Sequence, residues 1–114
     1  MNKPSLIVYP GGDLEKSKAL FKELLGAEPY ADAPYYVGYR AGDLEIGLDP
    51  RGAERGSTEA LAYWDVDDIH AGVQKLTAAG AELLQDVRAV GGGISIAILK
   101  TPGGAQFGLR TKSS

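Results

Sequence analysis

Two stretches of the chain share one pattern of apolar and polar positions. Leu6-Ile-Val-Tyr-Pro-Gly-Gly-Asp13-Leu14 reads as a strand, a break and a helix start, and Leu61-Ala-Tyr-Trp-Asp-Val-Asp-Asp68-Ile69 reads the same way, 55 residues later. Asp13 and Asp68 stand where a helix wants a side-chain acceptor, just ahead of its first apolar residue. The second helix then carries Ile69, Val73, Leu76 and Gly80 at i, i+4, i+7 and i+11, and Leu14, Phe21, Leu24 and Leu25 form the matching stripe of the first. Both helices run into the same tripeptide, Gly26-Ala27-Glu28 and Gly80-Ala81-Glu82, whose glycine suits a helix end with positive φ.

Alternation predicts strands at Ser5–Tyr9, Tyr35–Tyr39, Leu44–Leu48, Ala60–Asp65, Ile94–Leu99 and Ala105–Arg110, with fainter signals at Glu28–Tyr30 and Leu83–Val87. Each half closes on a hairpin-like pair ending in Gly-Leu, at Gly47-Leu48 and Gly108-Leu109. The chain is thus read as one α+β domain over 1–114, made of two tandem βαβββ units at 5–50 and 59–111 joined by a polar linker at 51–58. A unit of some 55 residues is marginal alone, so the two must share a sheet or borrow one from a partner chain.

Composition narrows the function. With 12 Lys plus Arg against 15 Asp plus Glu, the net charge of −3 supplies no basic field for a nucleic acid. The absence of cysteine removes disulfides, thiolate chemistry and cysteine-held zinc. Near the N-terminus a four-residue apolar run, Leu6–Tyr9, is far short of a signal peptide or membrane span, so a cytoplasmic protein with no membrane partner is expected.

Asp-Leu-Glu-Lys-Ser-Lys-Ala-Leu-Phe-Lys-Glu-Leu-Leu-Gly in the first half, with Trp-Asp-Val-Asp-Asp-Ile-His and Thr-Pro-Gly-Gly-Ala-Gln-Phe-Gly-Leu in the second, resembles the vicinal oxygen chelate superfamily. That group includes glyoxalase I, bleomycin-resistance proteins and extradiol dioxygenases. The resemblance runs from about Ser5 to Thr111 and implies curved mixed sheets around a concave ligand cleft. It also implies four metal-ligand positions on the first and last strands of each unit, which match Leu6, Gly47, Leu61 and Gly108 here. Leucine and glycine offer a metal no donor, so no metal and no cofactor are expected.

Strand alternation then sends Val8, Tyr63 and Asp65 into the cleft with Leu6 and Leu61, and Glu45, Gln106 and Arg110 with Gly47 and Gly108. Ile7, Tyr9, Ala62 and Trp64 pack beneath the helices, together with Ile46, Leu48, Phe107 and Leu109. Tyr30, Tyr35, Tyr36 and Tyr39 crowd ten residues, and Tyr36 and Tyr39 are candidates for stacking an aromatic or amphipathic ligand, against the alternative of an edge strand rich in β-formers. Glu45 with Arg110 is the one base-and-cation pair that parity brings together, with a plain ion pair as its alternative reading.

Other motifs are read as structural. His70, the only histidine, falls just inside the second helix and faces solvent or the helix flank, without the partners of a triad or metal site. Asp65, Asp67 and Asp68 are a strand end and an N-cap rather than a calcium site. Gly91-Gly92-Gly93 lacks the Lys-Ser/Thr of a phosphate loop and reads as a flexible stretch, able to serve as a mobile lip. The expected function is metal-independent binding or sequestering of a small organic molecule, as the resemblance to resistance proteins implies. The alternatives are a lyase or isomerase with a degenerate or non-standard site, and a structural or regulatory partner-binding module. A homodimer is expected, because the resemblance implies pairing of two-unit chains and because open sheet edges need cover.

Overall fold

The computed structural model describes residues 3–51 and 59–112, so of the predicted 51–58 linker only Arg51 lies within the described residues. The chain forms two compact units, one over Ser5–Leu61 and one over the chain from Ala62 onward together with Lys3 and Pro4. The first unit holds β1 (Leu6–Pro10), α1 (Leu14–Leu25), β2 (Ala31–Ala33), β3 (Tyr36–Ala41) and β4 (Leu44–Asp49). The second holds β5 (Leu61–Asp65), α2 (Ile69–Ala78), β6 (Glu82–Gly91), β7 (Ile94–Lys100) and β8 (Gln106–Lys112).

The two units repeat one topology. In the first the order is β2-β3-β4-β1, with β1 parallel to β4 and the other pairs antiparallel. In the second the order is β6-β7-β8-β5, with β5 parallel to β8. A parallel pair needs a crossover, and the helix of each unit starts it. Even the exit from the first strand is repeated: Gly11 N–H donates to Asp49 O at 2.8 Å, and Val66 N–H to Arg110 O at 2.9 Å.

Each helix starts where its cap predicts. Asp13 accepts from Lys16 N–H at 3.2 Å and Asp68 from Ala71 N–H at 3.1 Å. Gly26 ends α1 in the left-handed region at φ 66°, while α2 closes on Ala79, with Gly80 following at φ 120°. Beneath α1, Phe21 packs with Val37, Tyr39, Ile46 and Leu48, and Ile7, Tyr9, Leu14 and Leu25 join them. Beneath α2, Ile69 packs with Ala97, Leu99 and Leu109, and Trp64, Val73, Leu76 and Phe107 join. The predicted helix-side alternation of β1, β4, β5 and β8 therefore holds at Ile7, Tyr9, Ile46, Leu48, Trp64, Phe107 and Leu109.

Leu24 corrects the predicted stripe of α1: it is 67% exposed. At about 100° per residue, Phe21 and Leu25 fall within about 20° of Leu14 on the helical wheel, whereas Leu24 is turned about 80° away. The fainter strand signals also move. The pairing strand is Ala31–Ala33 rather than Glu28–Tyr30, because Pro29 has no N–H to give a ladder. Tyr35 leaves the predicted strand for the tip of the β2–β3 turn. Gly91–Gly93 belongs to a hairpin: Gly91 pairs with Ile94, and Gly92 and Gly93, at φ 64° and 75°, form the two-residue turn between β6 and β7. Positive φ at both central residues is the type I′ requirement, which matches the twist of a hairpin.

Candidate functional site

The candidate surface is, in each unit, the sheet face turned away from the helix. In the second unit the strand registers line up two rows of directly opposed residues. Tyr63, Gly108, Ile98 and Gln85 form one, and Asp65, Arg110, Ile96 and Arg88 form the next. Four strands at about 4.8 Å spacing make each row roughly 14 Å long. Tyr63 lays its ring directly over Gly108, so close that a Cβ at that glycine would collide with the ring carbons. The ring is only 7% exposed, although it is not part of the cluster beneath α2.

Arg110 is held in the second row by a two-point contact, Nε to Asp65 Oδ1 at 2.6 Å and a terminal nitrogen to Asp65 Oδ2 at 3.1 Å. The arginine side chain is 6% exposed and the aspartate 46%, so a buried guanidinium is anchored to a carboxylate at the sheet's wet end. Ile96 and Ile98 supply the apolar floor between them. Neither was singled out by the sequence, although Ile94-Ser-Ile96-Ala-Ile98 alternates visibly; β7 is apolar on both faces, so periodicity alone does not separate them.

In the first unit the equivalent row is Val8, Gly47, Gly38 and Ala31. It is almost bare of side chains, and two tyrosines pave it. Tyr36 lies on Gly47, and the Tyr30 ring lies so close to Gly38 that any Cβ there would be about 2.9 Å from it. Tyr30 O–H donates to Glu45 Oε1 at 2.6 Å, and the Arg40 guanidinium sits 4.3 Å from the centre of the Tyr30 ring. Leu6 pairs with Glu45 at the edge of this row and is 6% exposed.

The predicted set is therefore largely sorted onto one face of each sheet: Leu6, Val8, Tyr36, Glu45 and Gly47 in the first unit, and Tyr63, Gln106, Gly108 and Arg110 in the second, with Leu61 beside Tyr63 by alternation. Tyr39 is the correction. It is 0% exposed, packs beneath α1 with its ring 6.2 Å from Phe21, and donates its hydroxyl to Lys18 O at 3.4 Å. Burial pushes its phenol above the ordinary value of 10.0. The cause is parity: Tyr36 and Tyr39 are three apart, so they cannot share a face of one strand. Of the pair expected at Glu45 and Arg110, each has a partner in its own unit, Tyr30 and Asp65. His70 is exposed on α2, as expected.

A depression of about 540 Å³ lies where β5 and β8 end beside the start of α2, and it shares Asp65 and Arg110 with the second row. Its rim carries Asp65, Asp67 and Asp68 against Lys75, Arg110 and Lys112, so its charges cancel and favour no ionic ligand.

Residues 4–109 match the sequence profile of the Glyoxalase/Bleomycin resistance protein/Dioxygenase superfamily. The chain belongs to this superfamily. Solved structures share the fold at low identity. A hypothetical protein from Bacillus halodurans C-125 is 15% identical over 98% of this chain and 95% of its own, with a TM-score of 0.78. A glyoxalase/bleomycin resistance protein/dioxygenase superfamily member from Vibrio splendidus 12B01 is 20% identical over 95% and 97%, with a TM-score of 0.68. The NAD-dependent benzaldehyde dehydrogenase from Legionella pneumophila is 14% identical over 95% and 98%, with a TM-score of 0.76. No curated protein matches the chain.

The metal that the superfamily implies does not fit this donor set. Among the described residues no three His, Cys, Asp or Glu side chains converge. At Gly47 and Gly108 the space next to the backbone is filled by the rings of Tyr36 and Tyr63, so a donor side chain there would have to displace an aromatic ring. Among the described residues no helix is long and apolar enough to cross a membrane.

Proposed function

We propose that this chain binds a small aromatic or amphipathic organic molecule without a metal, on the helix-free face of its sheets. The observation that carries the reading is a tyrosine ring laid over a glycine in each unit, Tyr36 on Gly47 and Tyr63 on Gly108, at positions that the resemblance gives to metal donors. Flat apolar rings with polar tips, an isoleucine floor and one anchored arginine are the chemistry of an organic-molecule pocket. The test is an NMR titration of the full chain with a panel of small aromatic compounds, and separately with zinc and nickel salts. Aromatic compounds are expected to shift the amide resonances of Tyr63, Ile98 and Gly108, and the metal salts to leave them in place. Stoichiometric metal binding lost on Glu45→Gln, with no aromatic response, would overturn the reading.

A second reading, a metal-independent enzyme, is favoured by the Tyr30 phenol held 2.6 Å from the Glu45 carboxylate, with Arg40 over the ring. Such a pair can move a proton to or from a bound molecule. Solvent-deuterium exchange into a bound carbonyl compound, abolished by Glu45→Gln and by Tyr30→Phe, is the result that would favour it.

A further inference from the structure

We infer that Gln85 selects the ligand, by offering its side-chain amide N–H to a carbonyl or carboxyl oxygen; the inference rests on the pocket reading above. Val87 packs in the cluster beneath α2. Plain alternation would put Gln85, two residues earlier, on that same apolar side. It does not lie there, because the β6 register slips between Leu83 and Gln85 and again between Gln85 and Arg88. The slips set Gln85 opposite Ile98, in the row that runs through Gly108 to Tyr63. A bulge is a device for re-aiming a side chain, and here one stands on each side of a single glutamine.

Turned to that face, the Gln85 amide nitrogen is buried and has no hydrogen-bond partner among the described residues. A buried donor left unmatched is costly, and native proteins rarely keep one without a use. Its neighbours in the row offer nothing in compensation: Ile98 and Gly108 have no polar side-chain atom, and the Tyr63 ring lies across Gly108. A molecule lying on Ile98 with an aromatic part toward Tyr63 would bring an oxygen acceptor to the Gln85 end of the row. The donor has no surface open to water in the free chain, so an acceptor meets it when the Gln85 side chain turns about its own torsions, and the new hydrogen bond then satisfies a group that the free chain leaves unmatched.

Acetophenone and ethylbenzene are suitable probes, since they differ by a carbonyl against a methylene. Titrated into the ¹⁵N-labelled full chain, acetophenone is expected to bind at least about fivefold more tightly than ethylbenzene, the net worth of about one hydrogen bond. The Gln85 side-chain amide resonance should move with acetophenone and not with ethylbenzene, a readout that needs no variant. In Gln85→Met and Gln85→Leu the two compounds should bind within about twofold of each other. Equal preference in the native chain and the variants, or a Gln85 amide resonance that ignores acetophenone, overturns the role of Gln85 and leaves the pocket standing. If neither compound shifts any resonance of the row, the pocket reading falls and this inference with it.

Discussion

Replacing Gly108 with alanine adds one methyl group at a point where the Tyr63 ring already lies. Gly108 does not have a positive φ, so the backbone itself accepts alanine and the whole cost is steric. Forcing a methyl against a packed ring costs about 1–3 kcal/mol. For a chain of this size about 2.1 cal/mol/K per residue of unfolding entropy makes 1 kcal/mol worth about 4 °C, so the melting temperature should fall by about 4–12 °C. The companion variant Tyr63→Ala removes a ring that is 7% exposed and should cost about 3 kcal/mol, more than a ring open to solvent would. The decisive measurement is Gly108→Ala in the Tyr63→Ala background. With the ring gone, the added methyl loses the three contacts that crowd it most, and alanine in a strand is favoured over glycine by about 0.5–1 kcal/mol. The sign of the substitution should therefore reverse between backgrounds. Urea denaturation with an unchanged m-value is the assay. Equal effects in the two backgrounds would refute the coupling of Tyr63 to Gly108, and with it the reason given for glycine at this position.

Tyr39, whose phenol is raised by burial, binds its proton more tightly folded than unfolded, so its contribution is complete below pH about 10 and is lost as pH rises through the folded value. Tyr39→Phe should flatten that alkaline loss of stability in melts from pH 8 to 11, and an unchanged slope would contradict the assignment. Asp65→Ala leaves the buried Arg110 without its two-point partner and should destabilise by about 1.5–3 kcal/mol in the same denaturation assay, with high salt restoring nothing. Trp64, half-buried edge-on to Phe107 at 6.1 Å, should cost about 3 kcal/mol when cut to alanine. Two copies are expected to pair in solution: light scattering at micromolar concentration should give about twice the 12.0 kDa chain mass, and a folded species at the single mass would remove the dimer.

Much of the scaffold was legible because repeat, cap and alternation all pointed the same way. Asp13 and Asp68 marked both helix starts, and period-two alternation assigned Ile46, Leu48, Phe107 and Leu109 to the helix side correctly. Composition groups Tyr39 with Tyr36 as one cluster of like residues, but parity along the strand puts the two on opposite faces. Gln85 was invisible for a different reason. Its face is set by two bulges, which depend on how β6 meets β7 and leave no local mark in the sequence. The pairing of Tyr63 with Gly108 was half visible: both were placed on the right face, but their contact is a matter of register between strands 45 residues apart in the chain.

The same irregular β6 has a consequence for the chain's behaviour in a crowd. It is the outermost strand of its sheet and carries Leu83, Leu84 and Val90, each at least 36% exposed. A straight strand of that composition would be a template for other chains to stack upon. Ten residues of β6 run against seven of β7, so three extra residues interrupt the ladder at three points. An incoming strand would find only short runs of evenly spaced donors and acceptors, too brief to hold a register. The distortion that aims one glutamine inward thereby also keeps an oily edge from seeding polymers.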